Sequence, residues 1–293
     1  MISAQLPSFF VVGPPRTGTS WIHRALQRHA NLPDPTKETR FFDCHFHRGM
    51  RWYLRHFPVL HPGKPTGEVA PTYFASERAR DGIAETVPHA KLVFIFRDPL
   101  QRLVSLYRLK RAYGLLDCSF EHALEADPEL LGSASYATCL QGWQQAFPRK
   151  QMLITLYDDL WTSPQAYIDR LLHFLELPAS PLTQAELRYV HSSERLTQPR
   201  HFLLTHSATL MANWCKARNL DQVVAAVRNS RVMSLLLSGG TPFPEVSRAA
   251  RERVGIVLRP EIENLERMIG RDLSMWNLPL PQASMASSVG SKA

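Results

Sequence analysis

The sequence has little cysteine, and no two of its four cysteines form a Cys-x-x-Cys pair. They are Cys44, Cys118, Cys139 and Cys215. This wide spacing argues against a disulfide framework and against a thiolate zinc site, and it favours reduced, structural thiols. His45-x-His47 supplies two metal-type ligands but no third, so we expect no metal site.

Long apolar runs are also missing. No stretch approaches the roughly 20 residues that a membrane-spanning helix needs. The N-terminal region lacks a basic segment, and its apolar run extends only from Phe9 to Val12, which does not fit a signal peptide. We therefore expect a soluble, cytoplasmic protein without a transmembrane segment.

The charge balance favours an anionic partner. The 293 residues carry a formal net charge of +8, while apolar content of 44% and charged content of 20% are ordinary for a globular protein. A basic chain suits an anionic ligand, an anionic surface or a nucleic acid. The sequence has no nucleic-acid-binding motif, so we expect no nucleic-acid partner.

Three short apolar runs predict the fold class. Residues 9–12, 91–96 and 152–157 each read as a buried strand that leads through a turn into a helix. This alternation predicts an α/β protein, with a central, mainly parallel sheet between two layers of helices. Ligands in such sheets bind beyond the carboxyl ends of the strands.

The chain organisation follows from the same patterns. We expect a single domain over residues 1–278, with a helical insertion at about 203–250 and a return to helix from 259. The insertion fits an acceptor lid, a membrane-surface element or simple packing. The tail at 279–293 is rich in small and polar residues and is expected to be disordered.

The loop after the first strand has the spacing of a phosphate-binding loop. It reads Gly13-x4-Gly18-Thr19-Ser20 and opens a helix, an arrangement in which backbone N–H groups and the helix N-terminus hold a phosphate. It matches the pattern GxxxxGK[ST] except that Thr19 replaces the lysine. Arg16 supplies a cation at another position. The alternative is a proline-rich turn that merely begins a helix.

The loop after the second strand begins with Arg97-Asp98-Pro99 and continues to Ser105. A guanidinium at the strand end and a serine two helical turns later can clamp one phosphate. An Arg–Asp pair that caps a helix is the alternative.

Together the two loops resemble those of sulfotransferases that use 3′-phosphoadenosine-5′-phosphosulfate (PAPS), a family with a P-loop-like fold. The resemblance implies that the first loop contacts the 5′-phosphosulfate through Arg16, Thr17, Gly18, Thr19, Ser20 and Trp21. It assigns the 3′-phosphate to Arg97 and Ser105. Four further segments, at residues 38–43, 48–53, 70–74 and 270–276, are similar to the heparan sulfate branch of the family.

The resemblance also implies catalytic roles. Glu38 matches the family's general base. Arg16 stands where the family usually has a lysine that assists the leaving group. Because a guanidinium is a poor proton donor, we expect Arg16 to stabilise charge rather than donate a proton. Val69 stands where the glycan enzymes have a second lysine, and Arg40 is a partial substitute.

The remaining site predictions concern the two ends of the cleft. We expect Arg40, Asp43, His45, Trp52 and Tyr73 to contact the acceptor. Arg195 and Arg200 lie where the family often has a basic loop that closes over the 3′-phosphate or the adenine, although a solvated loop is an equal alternative.

The sequence therefore predicts sulfuryl transfer from PAPS to a hydroxyl or amine, without a metal. PAPS has no γ-phosphate, which accounts for a loop without its lysine. A P-loop nucleotide kinase and a non-catalytic nucleotide-binding module are the alternatives. Small-molecule, lipid and carbohydrate acceptors all remain open.

Overall fold

A four-stranded parallel sheet forms the centre of the computed structural model, which describes residues 6–57, 61–190, 196–218, 220, 224 and 240–276. The strands are β1 (Phe9–Val11), β2 (Gly67–Val69), β3 (Lys91–Phe96) and β4 (Met152–Leu156). Their order in the sheet is β2-β1-β3-β4. The α/β class and the three predicted strands are confirmed.

Strand β2 was not predicted. It has only three residues, and its centre is the charged Glu68, so it forms no apolar run. Parallel pairing still places Glu68 opposite Phe10 of β1. All three residues of β2 are buried.

Helices and short turns connect and cover the strands. The described helices are α1 (Thr19–Leu26), α2 (Met50–Leu54), α3 (Glu77–Thr86), α4 (Pro99–Ala112), α5 (Phe120–Ala126), α6 (Pro128–Gly132), α7 (Tyr136–Ala146), α8 (Tyr157–Thr162), α9 (Pro164–Phe174), α10 (Gln184–Val190), α11 (Phe202–Ala217) and α12 (Arg248–Ile269). Single-turn elements are a π-type turn at Phe41–His45 and 3₁₀ turns at Phe46–Arg48, Pro71–Tyr73 and Arg149–Gln151.

The sheet lies between two apolar layers, as expected for a three-layer sandwich. Alternate β1 residues point to opposite faces. Phe10 packs with α3, α7, α12 and the aromatic segment after α1, whereas Phe9 and Val11 pack with α1 and α9. A third cluster joins α4, α5 and the first half of α12.

Helix α12 begins earlier than predicted. The return to helix was expected at residue 259, but α12 begins at Arg248, where Ser247 caps it through Ala250 N–H. Val254 and Leu258 are buried against α4 and α5, and this packing stabilises the added turns. Helix α11 lies at the start of the predicted insertion. Most of residues 219–239 and all of the tail at 279–293 lie outside the described residues.

None of the described helices combines the length and the apolar composition that crossing a membrane would require.

Burial on α12 gives a test of its early start. We expect Leu258→Ala to destabilise the fold by about 2–5 kcal/mol, because Leu258 is 1% exposed and its loss leaves a cavity. The control is Ile256→Ala, since Ile256 of the same helix is 55% exposed. Denaturant midpoints measure both changes. Equal, small shifts would contradict the packing of α12 against α4.

Candidate active site

A cleft of about 1040 Å³ lies beyond the carboxyl ends of the strands. The loop after β1, the segment after α1, helix α4 and the start of α8 form its walls. Eight of the predicted site residues line it: Arg16, Gly18, Thr19, Ser20, Trp21, Glu38, Arg97 and Ser105. The structure therefore brings both predicted loops and the predicted base to one cleft.

The phosphate-type loop is held close to β3. A side chain at Gly13 would meet the backbone nitrogen of Ile95 at 2.3 Å, so the approach requires glycine. Gly18 has φ 85° and is the N-cap of α1. The buried Thr17 hydroxyl donates to Pro14 O at 2.7 Å. Thr17 thus stabilises the loop from within, and its side chain does not line the cleft.

This loop leaves the N-terminus of α1 directed at the cleft. The first N–H groups of a helix have no partner within the helix, and they carry partial positive charge. Thr19 and Ser20 occupy the first turn of α1 and also line the cleft. This geometry is favourable for an anion, and phosphate binding here stays a prediction.

The two predicted loops contact each other directly. Arg16 Nε donates to Ser105 Oγ at 2.9 Å, and Arg97 Nη1 donates to Arg16 O at 3.3 Å. The Arg97 guanidinium lies 4.5 Å from the centre of the Tyr157 ring. Arg97 Nε is buried without a hydrogen-bond partner among the described residues. An anion beside Arg97 would provide the acceptor that this nitrogen lacks.

The Arg-Asp-Pro segment caps helix α4, as one of the two interpretations predicts. Asp98 is the N-cap of α4 and accepts a hydrogen bond from Gln101 N–H at 2.9 Å. Burial raises the pKa of Asp98, although the helix N–H groups oppose this. Arg97 does not bridge Asp98 but turns to the cleft. Asp98 therefore caps the helix, and phosphate contact by Arg97 stays a prediction.

Lys37 is a cleft residue that was not predicted. Its Nζ lies 3.2 Å from Glu38 Oε1, 3.4 Å from Thr19 Oγ1 and 3.5 Å from Ser20 Oγ. The side chains of Lys37 and Glu38 are 26% and 27% exposed. The sequence signal for Lys37 was a lysine directly before the candidate base. Two positions at which a lysine was expected are Thr19 and Val69 in this chain.

A buried carboxylate holds the segment that contains Glu38. Glu68 of β2 has no exposed surface and accepts hydrogen bonds from Thr39 N–H and from the Thr39, Tyr53 and Tyr73 hydroxyls, at 2.7, 2.7, 2.9 and 3.2 Å. Burial raises the pKa of Glu68 to about 7, although these donors act in the opposite direction. Because Thr39 follows Glu38, this cluster fixes the backbone next to the candidate base.

Two aromatic residues predicted to contact the acceptor are buried. Tyr73 is fully buried with its hydroxyl on Glu68, and Trp52 is 8% exposed and lies against His45 and His56. Both rings belong to the core cluster and do not line the cleft. Both rings pack the fold, and acceptor contact by Trp52 and Tyr73 stays a prediction.

The other acceptor-side residues form a cluster outside the cleft walls. Arg40 Nε donates to Asp43 Oδ2 at 2.5 Å, and its Nη2 contacts Cys44 Sγ at 3.1 Å. His45 packs edge-on against Trp52 with ring centres 5.2 Å apart. Acceptor contact by Arg40, Asp43 and His45 stays a prediction.

The basic loop predicted at Arg195 and Arg200 stays a prediction. Arg195 lies outside the described residues, and Arg200 is exposed and does not line the cleft. Gln198 N–H instead donates to Thr241 O at 2.9 Å, which joins two segments that both reach the cleft wall. Arg108 and Arg251 add cations to that wall.

Trp21 lies mainly in the core beneath the cleft. It is 3% exposed, and its indole Nε1 donates to Glu186 O at 3.0 Å. Its ring packs edge-on against Tyr167. Trp21 thus anchors α1 and reaches the cleft only at its edge.

Metal-type ligands do not cluster in the described part of the chain. No three His, Cys, Asp or Glu residues there lie close enough together to hold a metal ion.

Comparisons with known proteins agree on one family. A family model described as "Sulfotransferase domain" matches residues 6–219, well over half of the chain.

Among curated proteins, the chain is 28% identical over 300 residues to the human bifunctional heparan sulfate N-deacetylase/N-sulfotransferase 3, covering 93% of this chain and 31% of that protein. It is 25% identical over 292 residues to human heparan sulfate glucosamine 3-O-sulfotransferase 3B1, covering 94% and 66%. The chain thus spans about a third of the bifunctional relative.

Among solved structures, a sulfotransferase from Alicyclobacillus acidocaldarius aligns with a TM-score of 0.66 at 19% identity, over 92% of this chain and 98% of that one. This likeness shows a shared fold.

The buried Glu68 predicts a specific pH dependence of stability. Its folded-state pKa of about 7 exceeds the ordinary value of 4.5, so the folded protein holds an extra proton between these values. Stability from this group is therefore present at low pH and is lost as pH rises through that window. We expect Glu68→Gln to gain roughly 2–3 kcal/mol relative to the wild type between pH 5 and pH 8.

Urea midpoints of both proteins across this pH range provide the measurement. The amide also changes hydrogen bonding at this site, which adds an offset that is independent of pH, so only the change of the difference with pH reports the pKa of Glu68. A difference that stays the same at every pH would contradict the raised pKa of Glu68.

Proposed function

The chain belongs to the sulfotransferase family, and on that premise we propose that it transfers a sulfuryl group from PAPS to a hydroxyl or amine acceptor. One observation supports this above the others. All of the following line one cleft: a phosphate-type loop without its lysine, Arg97, Ser105 and the Glu38 carboxylate.

Donor binding is proposed to use the two loops at the two ends of PAPS. The N-terminus of α1, with Thr19 and Ser20, holds the 5′-phosphosulfate. Arg97 and Ser105 hold the 3′-phosphate. Arg97 is suited to this role because Tyr157 and the Arg16 carbonyl orient its guanidinium. Its Nε–H also has no hydrogen-bond acceptor among the described residues and is available to a phosphate.

The transfer step is an in-line displacement at sulfur. Glu38 accepts the proton of the acceptor, whose oxygen or nitrogen forms a bond to sulfur. The bond from sulfur to the 5′-phosphate oxygen breaks, and its electron pair remains on that oxygen. Arg16 and the loop N–H groups offset the developing charge. Proton transfer to a positioned base contributes roughly 10²–10⁴-fold.

The kinase alternative has less support. A P-loop kinase needs the loop lysine, which is Thr19 in this chain, and a carboxylate for magnesium. The acids after β4 have other partners. Asp158 accepts from Trp276 Nε1 at 3.1 Å, and Asp159 pairs with Arg271 and Arg170 at 2.6 and 2.9 Å.

We propose a carbohydrate acceptor first. The curated relatives described above are named for heparan sulfate, and the similarity spans more than nine tenths of this chain in both. Small-molecule and lipid acceptors are the alternatives. Labelled PAPS, incubated with a polysaccharide that has free glucosamine amines, one with N-sulfated glucosamine, a simple phenol and a lipid alcohol, distinguishes the classes.

Ligand-induced stabilisation tests the donor. Adenosine 3′,5′-bisphosphate at about 100 times its dissociation constant should stabilise the fold by roughly 2.7 kcal/mol. ATP with magnesium should give a smaller shift at equal concentration, because the loop lacks the lysine for a γ-phosphate. A shift with ATP and magnesium alone would overturn the PAPS assignment.

Arg97→Ala serves as the control for this experiment. It should reduce the shift from the bisphosphate while leaving the shift from adenosine 5′-phosphosulfate, which has no 3′-phosphate, unchanged. Equal losses for both ligands would count against a 3′-phosphate role for Arg97.

The base has a separate test. Glu38→Gln should retain bisphosphate binding and lose roughly 10²–10⁴-fold in turnover, because the amide cannot accept the acceptor proton. Glu85→Gln, an exposed carboxylate of α3, is the matched control. Turnover of labelled PAPS by the two variants is compared, and wild-type turnover in Glu38→Gln would remove Glu38 as the base.

A further inference from the structure

The ammonium group of Lys37 bridges two parts of the cleft. It pairs with Glu38 Oε1 at 3.2 Å, and it donates toward the hydroxyls of Thr19 and Ser20 at 3.4 and 3.5 Å. Thr19 and Ser20 form the first turn of α1, where the geometry favours an anion. Lys37 therefore extends from the candidate base to the candidate anion site.

The other described cations in the cleft wall lie elsewhere. Arg16 contacts Ser105 of α4, Arg97 contacts Gln101 of α4, and Arg108 belongs to α4 itself. Arg251 lies on α12. Lys37 is the described cation that contacts the base and the first turn of α1 together.

We propose that Lys37 is a further catalytic residue, whose ammonium contacts the non-bridging oxygens of the transferred sulfuryl group. This inference rests on the proposed sulfuryl transfer. During that transfer sulfur moves from the phosphate at α1 toward the acceptor beside Glu38. Lys37 lies along this path because its ammonium reaches both ends of it.

The chemical contribution of Lys37 is electrostatic. The acceptor atom forms its bond to sulfur, the bond to the 5′-phosphate oxygen breaks, and the acceptor proton passes to Glu38. The sulfuryl oxygens remain negatively polarised throughout. A fixed ammonium at 26% exposure stabilises that charge better than water would, because its orientation needs no rearrangement during the step.

A simpler role must be separated from this one. The ion pair with Glu38 can hold the carboxylate in position without any contact to the sulfuryl group. A double-mutant cycle separates the two roles. If Lys37 acts only through Glu38, its removal has no further effect once Glu38 is replaced.

The experiment uses the full chain and ³⁵S-labelled PAPS with water as the acceptor, so no natural acceptor is required. Lys37→Met should lower the turnover number roughly 10²-fold. The dissociation constant for adenosine 3′,5′-bisphosphate, which keeps the 5′-phosphate but has no sulfuryl group, should change far less than the turnover number. Lys37→Arg should recover part of the turnover. Lys64→Met is the control, since Lys64 lines a separate cavity of about 430 Å³ near the amino ends of β1 and β3.

The decisive comparison is made in the Glu38→Gln background. We expect Lys37→Met to cause a substantial further loss there. The proposal is overturned if the further loss is absent, or if Lys37→Met alone keeps wild-type turnover. Failure of the wild type to bind the bisphosphate would instead reject the proposed function. Bisphosphate binding by Lys37→Met and Lys37→Arg verifies that the variants fold.

Discussion

The buried carboxylate of Glu68 joins the sheet to the segment that lies over it. A carboxylate without exposed surface is unfavourable unless donors surround it. Thr39, Tyr53 and Tyr73 provide these donors from three separate stretches of chain. The need to satisfy the buried oxygens of one carboxyl group therefore fixes where β2, the aromatic segment and the Glu38 segment meet. The position of the candidate base follows from the position of a different glutamate.

The cleft has two chemically distinct halves. Arg16, Arg97 and Arg108 lie on or against α4, and they make that half suitable for phosphate. The other half contains the Lys37–Glu38 pair, where cation and carboxylate offset each other. The chain carries a formal net charge of +8, and positive charge is thus unevenly distributed between the two halves of the cleft. Such a division suits a reaction that binds a polyanion at one end and removes a proton at the other.

Spacing in the sequence was enough to predict the parts of the site that depend on backbone geometry. The glycines of the first loop, Arg97 after β3 and Ser105 two turns into α4 all lie where local rules place them. Strand β2 escaped prediction because burial of Glu68 depends on hydroxyls distant in sequence. The burial of Tyr73 depends on the same long-range contact. Its neighbours in sequence suggested a cleft, whereas its long-range partner, Glu68, holds it in the core. Lys37 was recognised as a cleft residue only from the fold, which places Thr19 and Ser20 beside it.

Arg16 has φ 72°, in a region that side chains other than glycine rarely adopt. Contacts within the protein hold the loop in this conformation. They include the close approach of Gly13 to β3 and the hydrogen bond from Thr17 to Pro14 O. The free-energy cost of straining and ordering this loop therefore arises during folding rather than during ligand binding. A ligand that binds such a loop loses little affinity to loop ordering. The strained loop lowers the stability of the fold, and it provides a preorganised binding surface.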